Sequence, residues 1–467
     1  MLRQAFIPGL CLLFGLSLTW ADDPNPRPDD WPQFRGWRAG GVAPGESPPL
    51  KWDVESSTSV AWKTAIPGLG HASPIVAGDF VFVVTAVDAD GESDLKVGLY
   101  GAIAPVESDS EQTWQLMCLS KRTGYVFWTR TVHKGIPKIK RHTKATHANS
   151  TPAADRIHVV VFLGSEGLHC FDYLGNLLWK KDLGTLDSGY FRAPDAQWGF
   201  ASSPIIFGNK VIVQCDVQEN SFIAAFNIDT GREVWRTPRD EVPTWCTPTI
   251  YKDGGESVLL VNGYKHVGGY DPHTGKERWK FTGGGDIPTP TPVTAHGLAF
   301  LSTAHGSDRP LTAVHPFSEG EFSLKDAPLE LTDSENETDT SGIAWSKPRE
   351  GIYQQSPIVV GDYLYACRGN GMLSCYQATT GTRLYRQRLG QGQTGFTASP
   401  VAANGRLLIT SEEGTIYTIK AGPEFEQLSQ NEMKDICMAS PAISDGVLYV
   451  RTKSHLYAIG QPKQRRH

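Results

Sequence analysis

A Ser/Thr-Pro pair opens a short β-rich segment eight times along this chain of 467 residues. The prolines are Pro74 (HASPIVAGDFVFVV), Pro152 (NSTPAADRIHVVVF), Pro204 (ASSPIIFGNKVIVQC) and Pro248 (WCTPTIYKDGGESVLLV). They continue with Pro292 (TPTPVTAHGLAFLST), Pro357 (QQSPIVVGDYLYAC), Pro400 (TASPVAANGRLLIT) and Pro441 (MASPAISDGVLYV). Four of the seven intervals run from 41 to 44 residues, the length of one four-stranded propeller blade. The longer intervals read as blades with loop insertions. Within each unit a turn (AGD, FGN, VGD, ANG, SDG) leads into an alternating strand such as DFVFVV, and a Gly-containing hairpin follows in several units. A third strand ends in a Thr-Gly turn and a Trp, as in RTGYVFW, DTGREVW and HTGKERW.

The pattern predicts an all-β, eight-bladed propeller of four-stranded antiparallel blades, one unit over residues 55–465 behind a leader at 22–54. The eighth unit ends at SHLYAIG with no outer strand of its own. The spare strand of that type is SVAWKT, so an N-terminal strand carrying Trp62 is expected to complete the last blade and close the ring. The outer-strand aromatics Trp62, Trp128, Trp179, Trp235, Trp279, Trp345 and Tyr385 are expected to dock one blade on the next.

Residues 1–21 read as a secretory signal. Arg3 precedes an apolar run from Phe6 to Trp20, and Ala21 supplies a small cleavage residue. Cys11 lies too early, after Pro8-Gly9-Leu10, to be a lipidation site. No other stretch is apolar for the roughly 18 residues a bilayer span needs. The chain is therefore expected to be exported, periplasmic or extracellular, without a transmembrane segment. A hydrophobic content of 40 % supports a large core and excludes a disordered chain. A formal charge of -6 argues against nucleic acid as the main ligand.

The segments CLSKRTGYVFW (118–128), AFNIDTGREVW (225–235) and GYDPHTGKERW (269–279) resemble the docking motif A-x-D-x-x-T-G-x-x-x-W of the pyrroloquinoline-quinone (PQQ)-repeat propellers. WPQFRGW (31–37) is similar to a leader of secreted members. The resemblance covers about 55–465. It implies one of two roles: a non-catalytic, BamB-like scaffold of the cell envelope without a cofactor, or a quinoprotein oxidoreductase using PQQ and calcium. A sugar-binding propeller is a third reading. Quinoprotein alcohol dehydrogenases carry a disulfide of adjacent cysteines over the quinone, and no Cys-Cys pair exists here. Of eight cysteines, Cys118, Cys170 and Cys375 occupy the motif's first position, where other blades have Ala225, Gly269, Ala313, Thr418 and Ala458. They read as small buried side chains. No Cys or His spacing matches a metal site.

Loops sort by face. The insertions at 88–113, 131–149 and 183–199 are expected on one face, around the channel mouth, and the acidic insertion at 318–341 on the other, as a solvated loop. Lys134, Lys138, Lys140, Arg141 and Lys144 make the second loop basic, a candidate receiver of an anion or an acidic partner. Residues preceding the Ser/Thr-Pro pairs are candidates to line the channel: His71, His147, Asn149, Trp198, Trp245, Gln354, Gln355 and Thr397. A quinone site would need a flat aromatic platform (Trp198 or Trp245), cations (Lys265 or Arg192) and carboxylates. Asp187, Asp195 and Asp286 are near in sequence but form no matching trio. Asp88–Asp94 reads as an acidic turn. A carboxylate cluster beside a Trp platform would favour the enzyme, and an exposed apolar or strand-like blade edge the scaffold.

Overall fold

The computed structural model describes residues 30–462, apart from 92–94, 100, 108–109, 307 and 327–341. The expected signal at 1–21 and most acidic residues of the 318–341 insertion lie outside the described residues. Eight antiparallel sheets form a ring. Each blade runs outward from a short inner strand that begins just after its Ser/Thr-Pro pair; blade 1 is Ile75–Ala77, Phe80–Asp88, Gln112–Ser120 and Val126–Gly135. The inner strands of blades 2 to 8 begin at Ala153, Ile205, Thr249, Val293, Ile358, Val401 and Ala442. The ring closes as expected: Val60–Ala65 pairs antiparallel with His455–Ile459, placing Trp62 opposite Ala458. Among the described residues no helix is long and apolar enough to cross a membrane.

Two repeated contacts explain the repeated residues. The first is a belt around the channel. Proline cannot donate, and it holds the preceding Ser or Thr extended. Each such residue then donates its backbone N–H to the hydroxyl of the next blade's Ser or Thr. Ser73 donates to Thr151 (2.9 Å), Thr151 to Ser203 (2.9 Å), Ser203 to Thr247 (3.0 Å) and Thr247 to Thr291 (3.3 Å). Thr291 donates to Ser356 (3.0 Å), Ser356 to Ser399 (2.9 Å) and Ser399 to Ser440 (2.9 Å). The belt is interrupted between blades 8 and 1, where the buried Ser73 hydroxyl has no partner.

The second contact joins the outer strands. The indole N–H of Trp62, Trp128, Trp179, Trp235, Trp279 and Trp345 donates to a carbonyl in the turn of the following blade: Lys121, Tyr173, Ile228, Pro272, Pro316 and Ala378. The ring lies on that turn's glycine where one is present. A Cβ on Gly275 would sit 2.5 Å from the Trp235 ring, so the Thr-Gly turn leaves room for the indole. Tyr385 meets Phe425 of blade 7, with ring centroids 5.8 Å apart. Across the sheet each Trp faces the small residue of its own blade, as Trp128 faces Cys118, Trp179 faces Cys170 and Trp279 faces Gly269. All seven cysteines among the described residues are buried free thiols.

The leader closes the face where the inner strands end. Trp31 bridges Val76, Pro32 accepts from Ala154, and Val42–Ala43 pairs parallel with Ala402–Ala403. Arg35 is fully buried and donates to the carbonyls of Ala39, Gly40, Ser356, Pro357 and Pro400. The start of the 318–341 insertion is not a loop. Gly320–Ser323 adds a parallel fifth strand to the outer edge of blade 4, against Trp279–Thr282.

Candidate functional site

The three insertions expected at the mouth do gather there. The first crosses the channel: the Gly98 N–H donates to Glu412 of blade 7 (2.6 Å), the Ala102 carbonyl lies 2.7 Å from His142 Nε2, and the Ile103 carbonyl accepts from Trp198 (2.9 Å). Residues 95–99 and 101–107 thus cap the mouth, as the leader closes the other end. Under this cap one network joins blades 1, 6 and 7. His71 Nε2 lies 2.8 Å from the Lys144 carbonyl, Lys144 Nζ lies 2.8 Å from Glu412, and the Thr397 hydroxyl bonds Glu412 and Gln354. Burial pushes His71 down to about 4, so it is neutral near pH 7. Glu412 carries no sequence signal, yet its carboxylate collects three groups: the Gly98 N–H, Lys144 Nζ and the Thr397 hydroxyl.

The basic loop is not a free cationic patch. Lys134 pairs with Glu111 (2.7 Å), Lys138 with Asp182 (3.5 Å), Lys140 with Glu107 and Lys144 with Glu412. Arg141 is buried and donates to the Ala145 carbonyl at 2.8 Å. Lys265 pairs with Asp240. Asn149 is structural: its side chain accepts from Thr146 and donates to the Phe200 carbonyl. Gln355 is buried with its amide unpartnered. His147 packs on Trp114, with centroids 6.1 Å apart, and burial lowers it to about 4.

Trp198 and Trp245 do form an aromatic shelf, with centroids 5.6 Å apart. Trp198 stacks on Tyr190 at 5.4 Å and 4°, so a residue of its own loop already occupies that face. The Tyr190 hydroxyl donates to the buried Asp286 at 2.8 Å, and His305 Nδ1 and Arg192 Nε also meet this carboxylate. Sequence distance hid His305 and Tyr353, which join the shelf from separate loops. A second carboxylate pair lies apart, between blades 3 and 4. Fully buried Arg239 meets Asp216 at 2.8 Å and Glu241 at 3.6 Å. Burial opposes the Arg239 charge, but Asp216, Tyr270 and Glu241 outweigh it and raise the pKa.

This donor set does not fit a calcium–quinone cradle. Such a cradle needs converging oxygen ligands with charge to spare. Here Asp286, Glu412, Asp216 and Glu241 are each committed to protein cations or N–H donors, and the platform tryptophan is covered. Among the described residues no three His, Cys, Asp or Glu side chains converge for a metal ion.

Comparison with known proteins bears on the fold and the family. A family model described as "Outer membrane protein assembly factor BamB" matches residues 112–283, 335–422 and 369–463. A curated relative of that name from Burkholderia pseudomallei (strain K96243) is 28% identical over 136 residues, 28% of this chain and 34% of the relative. The match therefore spans about a third of that relative's length. The crystal structure of BamB from Moraxella catarrhalis superposes with TM-score 0.52 at 15% identity, over 82% of this chain and 99% of that one. A europium-containing methanol dehydrogenase gives 0.58 at 12%, over 92% and 91%. Quinohemoprotein alcohol dehydrogenase from Comamonas testosteroni gives 0.58 at 13%, over 94% and 82%. At such identities the superpositions show the fold alone, and they reach BamB and dehydrogenases alike. The family matches cover well over half of the sequence, blade by blade, and the chain belongs to the outer membrane protein assembly factor BamB family of PQQ-repeat propellers.

Proposed function

We propose that this chain is an exported, non-catalytic binding scaffold of the cell envelope, whose partner is a protein segment laid along the outer edge of blades 1 and 2. One observation carries the reading. Two outer edges are visibly protected and this one is not. Blade 6 presents Arg383 and Arg386, paired with Glu350. Blade 4 is covered by Gly320–Ser323. Blades 1 and 2 instead expose Tyr125 (67%), Phe127 (51%), Leu174 (72%) and Leu177 (50%). Phe127 and Tyr173 both pack on Phe80, with centroids 5.6 and 5.5 Å away, which makes the surface continuous across the two blades. Exposed apolar edges next to free strand donors suit strand addition. The covered edge of blade 4 is the same event within the chain. The relative's printed name, an assembly factor for outer membrane protein, supports an envelope role.

Photocrosslinking from positions 127 and 177 in cells tests this reading. Adducts from both positions that disappear when Leu174→Asp is introduced, with none from position 386, support it. No adducts from the edge, together with calcium-dependent micromolar binding of PQQ in a calorimetric titration, would replace it with the quinoprotein reading.

A further inference from the structure

Among the described residues, buried guanidinium groups differ in how well they are satisfied. Arg35 spends its donors on five carbonyls, and Arg239 has two carboxylates and a tyrosine hydroxyl. Arg451, on the second strand of blade 8, is 1% exposed. Its Nη1 donates to the Val84 carbonyl, while its Nε and Nη2 have no partner. Those two nitrogens form one edge of the guanidinium, the edge that takes a carboxylate or phosphate through two parallel N–H bonds. With no carboxylate nearby, burial lowers its pKa to about 9, so it stays charged at neutral pH. An uncompensated charge at that depth is costly, and proteins rarely leave one unmatched.

Its surroundings are equally incomplete. Arg451 lies at the seam where the hydroxyl belt is interrupted, beside the unpartnered Ser73 hydroxyl's blade. Gly70 passes directly over the guanidinium: a Cβ there would be 2.6 Å from Nη2. The two preceding residues, Gly68 and Leu69, wall a cavity of about 460 Å³ between blades 8 and 1. Arg141, His147 and Lys453 also line it, with Asp88 and Asp435, and Arg451 lies behind its wall. Its volume falls in the range of small-molecule sites, roughly 300–1,000 Å³.

We propose that the seam between blades 8 and 1 binds a small oxyanion, the carboxylate of an organic acid or an inorganic phosphate, on the Nε–Nη2 edge of Arg451. Gly70, which covers the guanidinium, must shift for the anion to enter from the cavity beside Gly68 and Leu69. This site is separate from the blade 1–2 edge and does not depend on the docking reading.

Thermal unfolding and calorimetric titration of the full chain test the proposal, with sodium succinate, sodium phosphate, and sodium chloride at matched ionic strength. The expected result is a saturable rise in Tm and one-to-one binding with succinate or phosphate beyond the chloride effect. Binding by succinate alone assigns an organic acid, and binding by phosphate alone assigns inorganic phosphate. Arg451→Met is expected to bind at least 100-fold more weakly while melting no lower than wild type in ligand-free buffer, because no satisfied ion pair is lost. Arg451→Lys keeps the charge without the fork and is expected to bind at least tenfold more weakly, which decides the matter if the Met variant does not fold. The proposal is overturned if neither anion exceeds chloride, or if the Lys variant binds like wild type.

Discussion

Lys144 Nζ lies 2.8 Å from Glu412 Oε1, across the channel mouth, with side chains only 10% and 1% exposed. The pair ties the loop between blades 1 and 2 to blade 7. The same carboxylate holds Gly98 of the loop capping the mouth. Removing one member of a buried pair leaves the other charge uncompensated, whereas removing both is far milder. Lys144→Met is therefore expected to cost roughly 3–5 kcal/mol in equilibrium denaturation. Lys144→Met with Glu412→Leu should recover most of that loss. Tryptic cleavage at Lys96 should rise in the single variant, since the cap loses an anchor.

The belt predicts a contrast between two hydroxyls of the same motif. Thr247→Val keeps the shape but leaves the buried Ser203 N–H without an acceptor, and is expected to cost about 1–3 kcal/mol. Ser73→Ala removes a hydroxyl that satisfies nothing, and is expected to be neutral or slightly stabilising. Denaturant midpoints measured side by side check the pair.

Ring and closure were readable because two contacts recur in every blade or nearly so, and each demands a residue type. The belt demands Ser or Thr before Pro, and the docking contact demands Trp against a Gly turn. Blade 7 marks the edge of that legibility: Ser429 stands opposite Thr418, where other blades place an aromatic ring. The site was far less readable. Glu412 meets Lys144 over 268 positions, and Tyr190 meets Asp286 over 96. Composition revealed the basic loop but not its acidic partners Glu107, Glu111 and Asp182, which sit on other loops. Arg35 was unreadable for a related reason: its acceptors are backbone carbonyls, which any residue supplies.

The docking position should respond to volume rather than to chemistry. Gly269 faces Trp279, and a Cβ there would lie 2.1 Å from the indole nitrogen. Both residues are buried, so Gly269→Ala is expected to cost about 1–3 kcal/mol by overpacking. Cys170 holds the same place in blade 2, where blades 3, 5 and 8 have Ala. Cys170→Ala should then cost less than about 1.5 kcal/mol. A large loss there would mean that the thiol does more than fill space.

Acid should destabilise the ring before its carboxylates titrate. Burial holds His71, His147 and His169 down at about 4, against an ordinary value near 6.5. Above 6.5 both folded and unfolded chains carry these rings neutral. Between 6.5 and 4 the unfolded chain takes up protons that the folded chain refuses, so stability falls as pH falls. Each ring contributes on the order of 3 kcal/mol at most across that window. His158 works the other way. Burial lowers its pKa, but Asp155 and Asp229 outweigh that and raise it, so it adds stability in acid that is lost as pH rises. Glu277, held at about 2 despite burial by bonds from His266 and Tyr270, loses its contribution only below the histidine window. The expected curve is a drop in Tm that begins near pH 6.5 and is well advanced by pH 5. His71→Gln keeps a donor for the Lys144 carbonyl and removes one proton site. It should flatten the slope, since one of the rings that refuse a proton in the folded chain is removed. An unchanged slope would show that His71 is protonated in the folded ring, and would place the acid sensitivity on other groups.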